Sequence, residues 1–146
     1  DISSSAVEEA CRVVHEYELD NKEPIIFQND DLSFDDEELY GNMFDYIFSY
    51  SVFTHLPPDR IENLFYNMSK VLKPGCGVHY SSYSKIEDNG YIMQNDAFGR
   101  GFRYPHQFFK ELGDEYGFQV NSIDFNENPK DNDIIEIIRN PGSSTQ

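Results

Sequence analysis

Four histidines, His15, His55, His79 and His106, are the side chains best suited to carry a proton near neutral pH. Their positions show no metal-ligand spacing, so no metal site is expected. His55 follows an apolar run and is a candidate general base. Tyr104 and His106 border a long stretch rich in Gly, Asn and Asp, and are two further catalytic candidates. His79 falls in a strand-like run and reads as structural; His15 falls in a helical pattern and reads as a surface residue. No serine sits in a G-x-S-x-G elbow, so the sequence offers no context for an activated serine nucleophile. Asp35, Asp36, Glu37 and Glu38 read as a solvated acidic loop.

Charge narrows the partners. Of 146 residues, 27 are acidic and 11 basic, for a net charge of −16. Such a surface repels nucleic acid and anionic membrane, so neither is expected as a partner. A small-molecule substrate suits it better. Arg100 and Arg103, the one basic cluster, could with Tyr104 hold an acidic group of that substrate. No apolar run approaches membrane-spanning length. Cys11 and Cys76 are far apart and suit two free thiols in a reducing, cytoplasmic setting. With 12 Phe and 10 Tyr, the chain has apolar surface enough for a core.

The elements that must position these residues alternate. Ala6, Ala10, Val13, Val14 and Tyr17 recur at helical spacing, which predicts a helix from about Ser4 to Tyr17. Ser3, Ser4 and Ser5 can each cap it, and Glu8 stands at capping-box spacing from Ser5. Pro24–Gln28 reads as a short buried strand and Phe44–Tyr50 as another. Pro58 opens a second helix, with Ile61, Leu64, Phe65, Met68 and Leu72 along one face. Pro74-Gly75 ends it before a third strand, Gly77–Ser82. Residues 85–103 are irregular and suit a substrate-side insertion or lid. A helix from Pro105 to Tyr116 stops at Gly117. Phe118–Phe125 and Asp133–Arg139 then pair as an antiparallel hairpin. The alternation implies an α/β domain: a mostly parallel sheet flanked by helices, with an antiparallel hairpin at its C-terminal edge. The domain is expected over residues 1–139, with 140–146 a disordered tail.

Four segments, in order, resemble class I S-adenosylmethionine-dependent methyltransferases, whose domain is Rossmann-like. They are Asp1-Ile2-Ser3 before a helix, Gln28-Asn29-Asp30-Asp31-Leu32, Phe44–Leu56 (FDYIFSYSVFTHL) and Val71–Val78 (VLKPGCGV). Gly117-Phe118 before a strand also fits. The resemblance implies S-adenosyl-L-methionine as cofactor. It implies Asp1, with Ile2 beside it, at the cofactor's ribose hydroxyls, because a carboxylate can accept from both. It implies Asp30 at the adenine amino group, the Asp31 backbone N–H at the adenine ring, and Leu32 beside them. Ser49 and Tyr50 would lie beside the methionine part. Cys76 replaces the family's second turn glycine, and Gly77 can shift that turn by one.

The family's glycine-rich loop and first strand precede the acidic residue that Asp1 matches, so the chain reads as the C-terminal part of such a domain. The opening Asp1, with no Met, looks like a cut start. The gap would leave unpaired edges and an apolar slot for a partner chain or a swapped segment, a homodimer among the options. Two functions follow. One is methyl transfer to a small molecule. The other is a non-catalytic, methyltransferase-like interaction module completed by a partner chain. A nicotinamide-dinucleotide domain also uses an acidic ribose ligand, but the Asn-Asp-Asp and Lys-Pro-Gly turns favour the methyltransferase.

Overall fold

The computed structural model describes residues 3–30, 33–34, 43–86, 93–94, 101–123 and 132–142. The chain divides into two compact units, Asp1–Tyr40 and Gly41–Gln146.

In the first unit, α1 spans Ser4–Glu16, and Ser3 is the cap: its side chain accepts from the Ala6 N–H at 3.3 Å. The serine run therefore caps one residue ahead of Ser4 and leaves the Ser5–Glu8 spacing unused. Arg12 pairs with Glu9 one turn back and with Glu16 one turn on. The carboxylate of Glu9 is held below its usual range by that arginine. Glu18 and Glu23 take left-handed backbone on either side of a short 3-10 turn, Asp20–Lys22. Pro24–Gln28 is irregular; among the described residues no strand ladder includes it. An apolar run becomes a strand only when a neighbour completes its ladder.

Among the described residues, the second unit is a mixed six-stranded sheet with two α-helices. Its strands are β1 (Tyr46–Ser49), β2 (Val78–Ile86), β3 (Met93–Gln94), β4 (Phe102–Pro105), β5 (Phe118–Ile123) and β6 (Asn132–Arg139). The helices are α2 (Pro58–Val71) and α3 (His106–Tyr116). The β2 strand is the organiser. One edge pairs along its length with antiparallel β6. The other edge is shared by two parallel neighbours, β1 on Val78–Ser81 and β4 on Ser84–Ile86. Antiparallel β5 closes the sheet beyond β6, and β3 pairs with β4. The expected C-terminal hairpin is thus present, and the stretch expected to be wholly irregular contributes β3, β4 and the end of β2.

Strand alternation sends His79, Ser81 and Tyr83 to one face, with Ile135, Ile137, Phe118 and Val120, and all are buried. Both helices pack there. Phe65 of α2 meets Phe118 edge-on at 5.8 Å, and Phe109 of α3 meets Tyr83 at 4.8 Å. On the opposite face Tyr46, Phe48 and Tyr80 stack in a row, Phe48 being 74% exposed.

The Lys-Pro-Gly-Cys-Gly turn between α2 and β2 is tied on two sides. Lys73 donates its N–H to the Phe44 carbonyl at 3.1 Å, and Gly75 donates to the Arg139 carbonyl at 3.0 Å. The Arg139 guanidinium is buried and donates to the Leu72 carbonyl at 2.9 Å. Helix α3 ends at Gly117 with φ +81, a left-handed stop that suits glycine. Of the expected tail, Asn140 donates its N–H to the Gly117 carbonyl and residues 141–142 form a turn; 143–146 lie outside the described residues.

Candidate functional site at the carboxyl end of β1

Strand β1 delivers Ser49 to its carboxyl end, opposite Ser81 of β2. Ser49 is half-buried, and Tyr50, the next residue, is 75% exposed. Ser51 then turns the chain sharply with φ 57, a left-handed conformation that a side chain makes costly. The turn is held by three bonds. The Ser51 N–H donates to Ser82 Oγ at 2.7 Å, the Thr54 hydroxyl donates to the Ser51 carbonyl at 3.2 Å, and the His55 N–H donates to the Val52 carbonyl at 2.9 Å. Strained backbone fixed by its surroundings is frequent where a ligand must be met.

Beneath the turn lies an aromatic platform. Phe53 is buried, stacks on Phe109 at 5.5 Å and meets the His79 ring edge-on at 5.7 Å. Tyr104, also buried, stacks on Phe108 at 5.0 Å and donates its hydroxyl to the Leu56 carbonyl. Burial, and then the nearby carboxylate of Asp59, raise the Tyr104 phenol well above its ordinary pKa. It stays protonated and holds the loop from β1 to α2 against α3.

His79 is buried beneath the same turn. Burial pushes it down to about 3, so the imidazole is neutral at physiological pH. Its Nε2 lies 2.7 Å from Ser49 Oγ and its Nδ1 lies 2.8 Å from Met68 Sδ. Ser49 donates in turn to Ser81 Oγ at 2.8 Å. The neutral ring has one N–H, and its tautomer decides whether that proton lies toward Ser49 or toward Met68, whose sulfur can only accept. The sequence reading of His79 as structural missed this link, because the Ile47↔His79 and Ser49↔Ser81 register is set by the ladder and not by spacing along the chain.

The remaining sequence candidates are placed as follows. His55 ends a short 3-10 turn, Phe53–His55, and is exposed. His106 opens α3, with Nδ1 3.4 Å from the Tyr83 hydroxyl. Ser49, Tyr50, His55, Tyr104 and His106 all belong to the second unit. Asp30 belongs to the first, at an exposed bend. Asp1, Ile2, Asp31 and Leu32 lie outside the described residues, as do Asp35, Asp36, Glu37, Glu38 and Arg100. Among the described residues, no group of three or more His, Cys, Asp or Glu could hold a metal ion, and no helix is long and apolar enough to cross a membrane.

Residues 1–78 match the family model described as a methyltransferase domain. No curated protein matches the chain. Several solved structures share its fold. An O-methyltransferase family protein from Burkholderia thailandensis matches with a TM-score of 0.65 at 14% identity, covering 93% of this chain and 41% of that one. The magnesium protoporphyrin IX methyltransferase of Synechocystis with bound S-adenosylmethionine matches with a TM-score of 0.63 at 16% identity, over 95% and 57% of the two chains. An S-adenosylmethionine-dependent methyltransferase from Clostridium acetobutylicum matches with a TM-score of 0.69 at 12% identity, over 96% and 73%. The chain thus spans about half the length of the first two of these proteins.

Proposed function

This chain belongs to the methyltransferase domain family, and on that premise we propose that it forms part of an enzyme passing a methyl group from S-adenosyl-L-methionine to a small-molecule acceptor. The observation that carries the reading is the end of β1. Ligands of open α/β sheets sit outside the carboxyl ends of parallel strands. Here a parallel pair, β1 and β2, ends in a half-buried hydroxyl and a braced left-handed turn. A polar Ser49 beside the exposed Tyr50 ring fits a ligand with both polar and apolar parts.

When bound, the donor supplies a sulfonium methyl group, which is electrophilic without help from the protein. The work left to the chain is to bind, orient and exclude water. Ser49 and Tyr50 hold the methionine part. Asp30, with the Asp31 N–H and Leu32, receives the adenine, and Asp1 with Ile2 receives the ribose. His55, exposed at the same strand end, is the base where the acceptor must lose a proton; His106 is the second choice. Tyr104 braces the loop. The surplus of 27 acidic over 11 basic residues supports a small acceptor over a polyanion. Two exposed free thiols, Cys11 and Cys76, support a cytoplasmic setting.

Calorimetric titration with S-adenosylhomocysteine tests the reading. Binding that Asp30→Ala weakens about tenfold is expected, as for one lost side-chain hydrogen bond. No binding, either by the unaltered chain or after the upstream glycine-rich segment is restored, overturns it.

A further inference from the structure

Strand β1 stops at Ser49, and a side chain of its neighbour takes over from the ladder. The parallel register sets Ser49 opposite Ser81, so a continuing strand would bring Ser51 opposite Tyr83. Instead the chain turns left-handed at Ser51, and the Ser51 N–H donates to Ser82 Oγ at 2.7 Å. A backbone donor that would have entered the ladder is caught by a hydroxyl. Ser81 and Ser82 point to opposite faces of β2, and both are buried. Ser81 accepts from the Ser49 hydroxyl at 2.8 Å. Two adjacent serines of β2 thus hold the residue before Tyr50 and the residue after it. Packing alone does not call for a hydroxyl at position 82, since alanine would fill nearly the same space with no polar group to desolvate. The turn does call for one.

Resting on the function given above, we propose that Ser82 is a positioning residue: by holding the turn at Ser51 it sets the direction in which Tyr50 presents its ring to the ligand at the end of β1. Tyr50 is 75% exposed, so packing does not fix its ring. Its direction follows from the two peptides between which its side chain leaves the backbone. The first follows Ser49, which the ladder holds. The second carries the Ser51 N–H, which Ser82 holds. Left-handed backbone is disfavoured for a residue with a β-carbon. Without the Ser82 bond, Ser51 relaxes toward extended backbone, the second peptide turns, and the Tyr50 ring swings with it. Ser82 is 2% exposed and acts through the turn alone.

The test is a double-mutant cycle read by titration with S-adenosylhomocysteine, on the parent, Ser82→Ala, Tyr50→Ala and the pair combined. The upstream glycine-rich segment is restored in all four where the parent alone does not bind. Ser82→Ala is expected to weaken binding by the folded protein about tenfold. In the Tyr50→Ala background the same change should cost nothing further, because the ring it positions is gone. Adding Ser51→Gly to Ser82→Ala should recover most of the loss, since glycine takes positive φ at no steric cost. A serine that only stabilises the fold would lower the urea midpoint and leave the affinity of the folded protein unchanged. Should Ser82→Ala fail to fold, exchange of the Ser51 amide in the parent decides: it should slow when the ligand binds, and unchanged exchange overturns the proposal. Full affinity in Ser82→Ala, or an equal loss with and without Tyr50, overturns it while leaving the methyl-donor reading intact. Binding by none of the proteins, with or without the upstream segment, overturns both.

Discussion

Gly77 sits so close to Lys73 that a β-carbon placed on it would lie 2.6 Å from the Lys73 nitrogen and 2.8 Å from its carbonyl oxygen. Both atoms are backbone and belong to the turn that ends α2, so neither can swing aside. The Gly77 N–H also donates to that carbonyl at 2.8 Å, which pins the approach. Gly77→Ala should therefore destabilise the protein by about 1–3 kcal/mol, the usual cost of forcing atoms into a packed site. Cys76 is exposed, so Cys76→Ala should change stability by less than about 0.5 kcal/mol. Urea denaturation of the two variants checks this. A Gly77→Ala protein as stable as its parent would show that the turn can relax. The pattern also explains the cysteine in VLKPGCGV: the close backbone approach falls at the second glycine, one residue after Cys76.

Tyr104 offers a second test, because its sequence context suggested chemistry and its surroundings suggest bracing. The hydroxyl donates to the Leu56 carbonyl, and the ring is sandwiched among Phe102, Phe108 and Phe109. Tyr104→Phe keeps the rings and deletes one buried bond. A loss of about 1 kcal/mol is expected, with Leu56 left to find another donor. Faster amide exchange in residues 53–57 should accompany it, because that loop is tied to β4 by this bond. Unchanged stability and exchange would contradict the bracing role.

Local order was largely legible in the sequence. The apolar spacing of Ile61, Leu64, Phe65 and Met68 located α2, and all four are buried. Gly117 located the end of α3, since only a residue tolerant of positive φ suits that stop. The C-terminal hairpin followed from two β-branched runs around a polar link. Pairing was less legible. Nothing in Pro24–Gln28 tells whether a neighbour completes its ladder, and the run proved irregular among the described residues. Nor does anything in Lys85–Arg103 announce that Ser84–Ile86 will pair with Arg103–Pro105. The site divided in the same way. Ser49 was visible as a polar residue closing an apolar strand, whereas His79 looked structural. Its reach to Ser49 depends on a register between strands 30 residues apart, and such registers are decided by three-dimensional packing.

The last prediction uses the neutrality of His79. Unfolded, a histidine titrates near 6.5; in the fold, burial pushes His79 down to about 3. Between those two values the unfolded chain binds a proton that the folded chain refuses. Linkage then makes unfolding easier as pH falls, with a slope approaching 1.4 kcal/mol per pH unit well below 6.5. The contribution is fully present above pH 6.5 and is lost progressively toward pH 3. Other groups titrate in the same range, and protonating surplus carboxylates relieves repulsion in a chain of net charge −16. The informative quantity is therefore the difference between the parent and His79→Gln, which cannot take up the proton. From pH 6.5 to pH 5 the parent should lose about 2 kcal/mol relative to that variant. Urea denaturation of both proteins at pH 8, 6.5 and 5 measures it. Parallel curves would mean that His79 accepts a proton in the folded state, and so has access to water that its contacts with Met68, Phe53 and Ser49 do not provide.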